Sequence, residues 1–318
     1  MREFAIEEYL NGVKKVGIAG HIRPDGDCVG SCLGLYTYIK HNFKDIQVDL
    51  YLEPIPEKFG FLKYSEEIKN EYTEGIQYDL FISLDSSELD RLGDFVPYFE
   101  NAKQTLCIDH HISNSKFARE NIIYPTYSSA SEVVYNLLEE DKIDYDVACA
   151  LYLGIVHDSG VFKYSSTSAQ TMCIAGKLME KGIPFTSIID DTFYSKTYVQ
   201  NQVLGRALSE SVLFYDGKCI FSVIRKNMMD FYQIDSKDLD GIVEQMRITK
   251  GVECAIFLYE VGELEYKVSL RSKEIIDVSV IATHFGGGGH IRAAGFNMKG
   301  TPYDVINNIS EQIELQMK

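Results

Sequence analysis

The stretch VGIAGHIRPDGDCVGSCLGLYTYIKHNF, residues 16–43, decides the fold class. Its opening VGIAGH is apolar or small until His21, as in a buried strand. From Cys28 to Phe43 apolar residues then recur near the 3.6 spacing of a helix. The strand pattern returns in IQVDLYL (46–52), YDLFISLD (78–85) and QTLCIDHH (104–111). Apolar strands that alternate with helices argue for a parallel sheet covered on both faces. Helices are expected at 128–140, 146–158 and 168–182. Around 190–211 the pattern loosens into a connecting helix with flexible ends. Beyond it come a hairpin at 211–224 turning on Asp216-Gly217, a helix at 237–248, and strands at 254–260 and 265–271. A Gly-rich loop at 286–289, a short strand AAGFNM and a closing helix at 303–316 complete the chain. The expected fold is α/β. An N-terminal parallel-sheet domain spans 1–190, a linker helix 191–211, and a smaller C-terminal α+β domain 212–318.

Composition bounds the function. A length of 318 residues, at about 150 per domain, fits two domains. Apolar residues at 45% and charged residues at 25% are ordinary globular values. No apolar run approaches the roughly 18 residues of a membrane span. The start MREFAIEEYLNGVKK carries acids and lacks the apolar stretch of a signal peptide. Seven cysteines with no CxxC pair argue against a disulfide framework and for a reducing compartment. A soluble cytoplasmic protein is expected. The net charge of −16, concentrated before residue 212, excludes a basic track for long nucleic acid. That acidity serves either solubility or cation binding, and the positions of the acids decide between them.

In open parallel sheets ligands bind beyond the carboxyl ends of the strands. Here the first strand ends at His21 and runs into Asp25 and Asp27, the third ends at Asp85, and the fourth at Asp109-His110-His111. The helix at 146–158 ends in His157-Asp158. One strand-ending Asp is ordinarily a turn former or helix cap. Four apolar segments ending in Asp or His, with Pro24 and Gly26 shaping a tight HxxxDxD loop, point to a cation site. Carboxylates packed closely without a cation would repel one another. His and carboxylate without thiolate suit Mn²⁺, Mg²⁺ or Co²⁺ rather than structural zinc. The number of ligands fits two ions sharing one carboxylate, about 3.5–4 Å apart, an arrangement suited to phosphoryl displacement. In the C-terminal half, Gly286 to Gly289 and His290 offer backbone N–H groups to an anion, and Arg271 and Arg292 lie nearby in sequence. A flexible loop is the plainer reading of such a glycine run.

HIRPDGDCVGS (21–31), SLDSSELDRLG (83–93), CIDHHISN (107–114) and GIVHDSGVFKYSSTS (154–168) resemble the motifs of the DHH phosphoesterase family. VSLRS (268–272) and GGGGHIRAAGF (286–296) resemble its associated C-terminal domain, and the layout is similar to the bacterial nanoRNase/pAp phosphatase group. The resemblance implies one ion held by His21, Asp25 and Asp85, and a second by Asp27, Asp85, His110 and Asp158. It implies that Asp109 orients its neighbours, that His111 meets the scissile phosphate, and that Arg271, Gly288, Gly289 and His290 grip the rest of the nucleotide. The activity it implies is metal-dependent hydrolysis of short oligoribonucleotides and 3′-phosphoadenosine 5′-phosphate (pAp), with Mn²⁺ as the metal. A homodimer is implied, and neither long duplex nor membrane is a partner. Cleavage of cyclic di-AMP or of linear pApA or pGpG uses the same ligands and is the alternative. Pyrophosphatase is disfavoured by the GGGGH domain, and a non-catalytic nucleotide sensor by the intact ligand set.

Overall fold

The computed structural model describes residues 5–317, so the first four residues of the acidic start and Lys318 lie outside it. The chain divides into two compact units at Ser195/Lys196. The first comprises α1 (Ile6–Leu10), β1 (Lys15–Ala19), α2 (Gly26–Asn42), β2 (Gln47–Tyr51), β3 (Leu80–Leu84), α3 (Val96–Glu100) and β4 (Gln104–Asp109). It continues with β5 (Glu120–Ile123), α4 (Ala130–Leu137), α5 (Tyr145–Asp158), α6 (Ala169–Met179) and α7 (Phe185–Ile189). The five strands form a wholly parallel sheet in the order β2-β1-β3-β4-β5. From β1 the chain moves to one side for β2 and returns to the other for β3. The strand order therefore reverses between β1 and β3, where open sheets leave a crevice at their carboxyl ends.

Burial on both faces accounts for the unbroken apolar runs. Val16, Ile18, Ile82, Leu84, Leu106 and Ile108 are all fully buried. The sequence pattern does not reveal β5, because Ile122 is the one buried residue of its Glu-Asn-Ile-Ile. With so little of it buried, β5 leaves no periodic signal, whereas β2 at the opposite edge buries Val48 to Tyr51 and can be read. Helices α2 and α5 pack so closely that a Cβ on Gly30 would lie 2.5 Å from the Ala150 carbonyl and 2.7 Å from Gly154 N. This contact brings the first turn of α2, with Asp27, to the last turn of α5, with Asp158.

The second unit contains α8 (Tyr198–Ser209), β6 (Val212–Phe214), β7 (Cys219–Ile224), α9 (Lys226–Tyr232), α10 (Ile242–Arg247), β8 (Cys254–Gly262) and β9 (Glu265–Ser272). It ends with α11 (Val278–His284), β10 (Gly288–His290), β11 (Ala293–Lys299) and α12 (Pro302–Met317). Its sheet runs β10-β11-β9-β8-β7-β6, with β7 and β8 parallel and the other pairs antiparallel. The segment read as a linker helix is α8, capped by Thr197, and its Val203 and Ala207 pack with Ile220, Ile242 and Met246 of this unit.

Two local expectations are corrected. The single helix at 237–248 is instead a 3₁₀ turn, Ser236–Leu239, followed by α10. Gly241 breaks it with φ +84°, which continues no right-handed helix. The Gly-rich loop is partly strand, since Gly288, Gly289 and His290 pair with Gly295, Ala294 and Ala293. That pairing is made by backbone alone and leaves no side-chain pattern to read. Among the described residues no helix is long and apolar enough to cross a membrane.

Candidate metal centre

The carboxyl ends of β1, β3 and β4 deliver His21, Asp85 and Asp109-His110-His111 to one place. Asp85 follows the last residue of β3 and has φ +53°, a left-handed conformation that costs a non-glycine residue about 1–3 kcal/mol. Asp25 is the N-cap of α2 and accepts from the Asp27 and Cys28 amides at 3.1 Å each. Asp27 sits in that helix's first turn, and Asp158 is the last residue of α5.

The side chains converge. His21 Nε2 lies 3.7 Å from Asp25 Oδ1 and 3.4 Å from Asp85 Oδ2. His110 Nε2 lies 4.0 Å from Asp27 Oδ2, 3.7 Å from Asp85 Oδ1 and 3.2 Å from Asp158 Oδ2. Asp85 thus stands between two sets, with one oxygen towards each. In both histidines Nδ1 meets a backbone carbonyl, Ile22 O at 2.8 Å and Tyr127 O at 3.3 Å. A proton on Nδ1 bonded to that carbonyl turns Nε2 to the carboxylates, the tautomer a metal requires.

The charges are held under tension. Burial, then the neighbouring Asp85 and Asp158, push the Asp27 carboxyl well above the usual range. Burial likewise lifts Asp158 to about 6, against the pull of His110. Burial would lift Asp25 too, but its bonds to His21 and to the Cys28 and Asp27 amides hold it at about 2. Asp85 Oδ1 is buried and has no hydrogen-bond partner. An orphaned oxygen among crowded carboxylates and imidazoles is the expected form of a cation site, because leaving such an atom unpaired costs about 1–3 kcal/mol. The donor set suits hard divalent ions. Cys28 also approaches His21 and Asp85, but it is fully buried and burial pushes its thiol far up, so it stays neutral.

Asp109 is fully buried and takes His111 Nδ1 at 2.7 Å on one oxygen and Asn114 Nδ2 at 2.6 Å on the other. The bond to Asp109 raises the His111 pKa despite burial, which favours the protonated ring. With Nδ1 occupied by Asp109, Nε2 is left to face a ligand, and the side chain is 44% exposed.

Sequence reasoning missed the residues that steady these groups. Asn114 lies inside CIDHHISN, yet nothing in that string assigns it to Asp109. Asp27 accepts from Ala130 N at 2.6 Å and Ser131 N at 3.0 Å, at the start of α4. Helix N-terminal amides are apt partners for a carboxylate. The Ser129-x-x-Glu132 cap pattern marks that helix start but does not reveal its contact with Asp27.

In the second unit, Arg271 pairs with Ala293 and Ala293 with His290, so the three form one cross-strand row. Directly paired residues share a face of the sheet, which places Arg271 and His290 on one side of it. Gly288 and Gly289 are exposed on the edge strand β10. Arg292 is not in this row's chemistry, since it donates to the carbonyls of Ile276 and Glu274 and so ties down the approach to α11.

Comparison with known proteins agrees with both units. The chain is 28% identical over 304 residues to the bifunctional oligoribonuclease and PAP phosphatase NrnA of Thermus thermophilus, covering 94% of this chain and 89% of that protein. It is 28% identical to the protein of the same name from Mycoplasma pneumoniae, covering 98% and 96%. Among solved structures, an exopolyphosphatase-related protein from Bacteroides fragilis superposes with a TM-score of 0.87 at 26% identity, covering 97% of this chain and 94% of that one. Residues 15–155 match the model of the DHH family, N-terminal domain, and 216–318 match the DHHA1 domain. With the histidines and carboxylates of those motifs gathered at the carboxyl ends of the strands, residues 15–155 form a domain of the DHH family.

Proposed function

We propose that the protein is a phosphoesterase that uses two divalent ions, Mn²⁺ foremost, to hydrolyse short oligoribonucleotides and pAp. The observation that carries this is Asp85, a buried carboxylate with an unpartnered oxygen lying between His21 on one side and His110 on the other. His21, Asp25 and Asp85 would hold one ion, and Asp27, Asp85, His110 and Asp158 the other. Bound there, the ions would activate water and neutralise phosphoryl oxygens.

The chain's own groups do the rest. The carbonyls of Ile22 and Tyr127 fix the imidazole tautomers. Asp109, itself held by Asn114, orients His111 and favours its protonated form, in which Nε2–H would donate to the phosphoryl group as negative charge develops. Arg271 supplies a guanidinium suited to a second phosphate, with His290 on the same face. Relatives that share nearly the whole chain carry oligoribonuclease and PAP phosphatase in their names, which supports this choice of substrate. The acidic surface disfavours a long strand. Seven unpaired cysteines fit a reducing, cytoplasmic setting. A homodimer, which the family resemblance implies, is tested by light scattering.

The deciding experiment measures Mn²⁺-dependent product release from pAp, a ladder of very short RNAs, a long RNA, pApA and cyclic di-AMP at equal concentration. Turnover of pAp and the shortest RNAs, with the long RNA spared, is the expected result. Preference for cyclic di-AMP or pApA would assign the same centre to dinucleotide second messengers.

A further inference from the structure

Glu132 is a fully buried carboxylate on α4 that makes no ion pair among the described residues. A buried carboxylate is costly unless it is well hydrogen-bonded. Here three donors meet one of its oxygens: Ser128 N at 2.9 Å, Ser128 Oγ at 2.7 Å and Thr171 Oγ1 at 2.9 Å. Its other oxygen has no partner. In an ordinary capping box the glutamate reaches back to the amide of the cap residue, which here is Ser129. Glu132 reaches one residue further, to Ser128, while Ser129 Oγ caps the Glu132 amide at 3.0 Å.

That extra residue matters because of what adjoins Ser128. Immediately before it, the Tyr127 carbonyl lies 3.3 Å from His110 Nδ1. Shortly after it, the amides of Ala130 and Ser131 hold Asp27 at 2.6 and 3.0 Å. At the start of the loop, Tyr124 N donates to the Asp109 carbonyl. Thr171, the other donor to Glu132, also accepts from Ser168 N at 3.1 Å and so links the cap of α6 to the same point. One side chain therefore pins the loop that presents two groups of the proposed centre, on elements far apart in sequence.

We propose that Glu132 is a positioning residue of the metal centre, acting through Ser128 and the Tyr127 carbonyl on His110 and through the start of α4 on Asp27. The proposal rests on the two-ion reading above. Partners that orient metal ligands typically contribute 10–100-fold in metal affinity.

The test is calorimetric titration of the full-length, metal-free protein with Mn²⁺ alone, alongside its unfolding midpoint. Glu132→Ala is expected to weaken Mn²⁺ binding by about 10–100-fold. Glu132→Gln is expected to restore affinity to within a few-fold, because an amide oxygen accepts the same hydrogen bonds. Should Glu132→Ala not fold, Ser128→Ala, which removes one of the three donors, is expected to weaken binding several-fold. The ¹⁵N signals of His110 should shift in either variant as Nδ1 loses its fixed partner. A role confined to packing would lower the midpoint and leave Mn²⁺ affinity and those signals as in the parent. That result in the folded variants overturns the proposal. Failure of the parent protein itself to bind Mn²⁺ overturns the two-ion reading with it.

Discussion

Replacing Asp85 by Asn tests the centre at its shared point. The substitution keeps the shape and removes the charge. Asp85 is 3% exposed, and its charge helps to push up Asp27 and Asp158. Its Oδ1 has no hydrogen bond to lose. The metal-free variant should therefore unfold at the parent temperature or slightly above it. With Mn²⁺ the two proteins should part. At a hundred times its dissociation constant a ligand adds about 2.7 kcal/mol. In a unit of 195 residues, at roughly 2–4 °C per kcal/mol, that is a rise of about 5–10 °C. Asn at position 85 takes an anionic ligand from both proposed ion positions, so the Mn²⁺ shift should fall to about 1 °C or less. Turnover should fall by more than about 10³, beyond what one transition-state donor is worth. Differential scanning fluorimetry with and without Mn²⁺, beside a pAp hydrolysis assay, reads both effects. A full Mn²⁺ shift with near-normal turnover in Asp85→Asn would refute the shared-carboxylate arrangement.

Other outcomes follow from the same geometry. Burial, then Lys58, hold His157 at about 4, below the usual value for histidine. The unfolded chain therefore takes up a proton that the folded protein refuses, and stability is lost as pH falls from about 6.5 towards 4. His157→Gln, which can still donate to Thr192, should flatten that part of the denaturation-versus-pH curve, and an unchanged curve would place the acid sensitivity elsewhere. Asp109→Asn should lower kcat for pAp about 10–100-fold with KM little changed, since it disturbs the orientation of His111 and not the grip on substrate; equal loss in KM would count against it. Gly30→Ala should cost about 1–3 kcal/mol in urea denaturation, because the α2–α5 contact has no room for a Cβ. Arg271→Ala should raise KM for a dinucleotide far more than for a small phosphodiester, and equal effects would make Arg271 structural.

Much of this protein is legible in its sequence, because the information is local. A strand buried on both faces is mostly apolar, and β1 to β4 are legible for that reason even with Asp49 inside β2 and Thr105 inside β4. Residues at and just beyond the ends of such strands need not be apolar, so His21, Asp85 and Asp109-His110-His111 stand out against them. Where burial is partial or backbone pairs without side chains, the pattern fades. That is why β5, α9 and the glycine strand β10 go unread.

Only the tertiary structure joins groups whose partners are distant in the chain. The start of α4 meets Asp27 more than a hundred residues away, and the Tyr127 carbonyl sets the His110 ring. The left-handed turn at Asp85 and the orphaned oxygen it carries are likewise products of packing. Arg271 and His290 face the same side through a register of three strands that no single segment encodes. Side-chain chemistry and periodicity are written residue by residue, so the sequence alone picked out the candidate groups. Hydrogen bonds between distant backbone and side-chain atoms exist only after the sheet and helices close, and they decide how those groups are held.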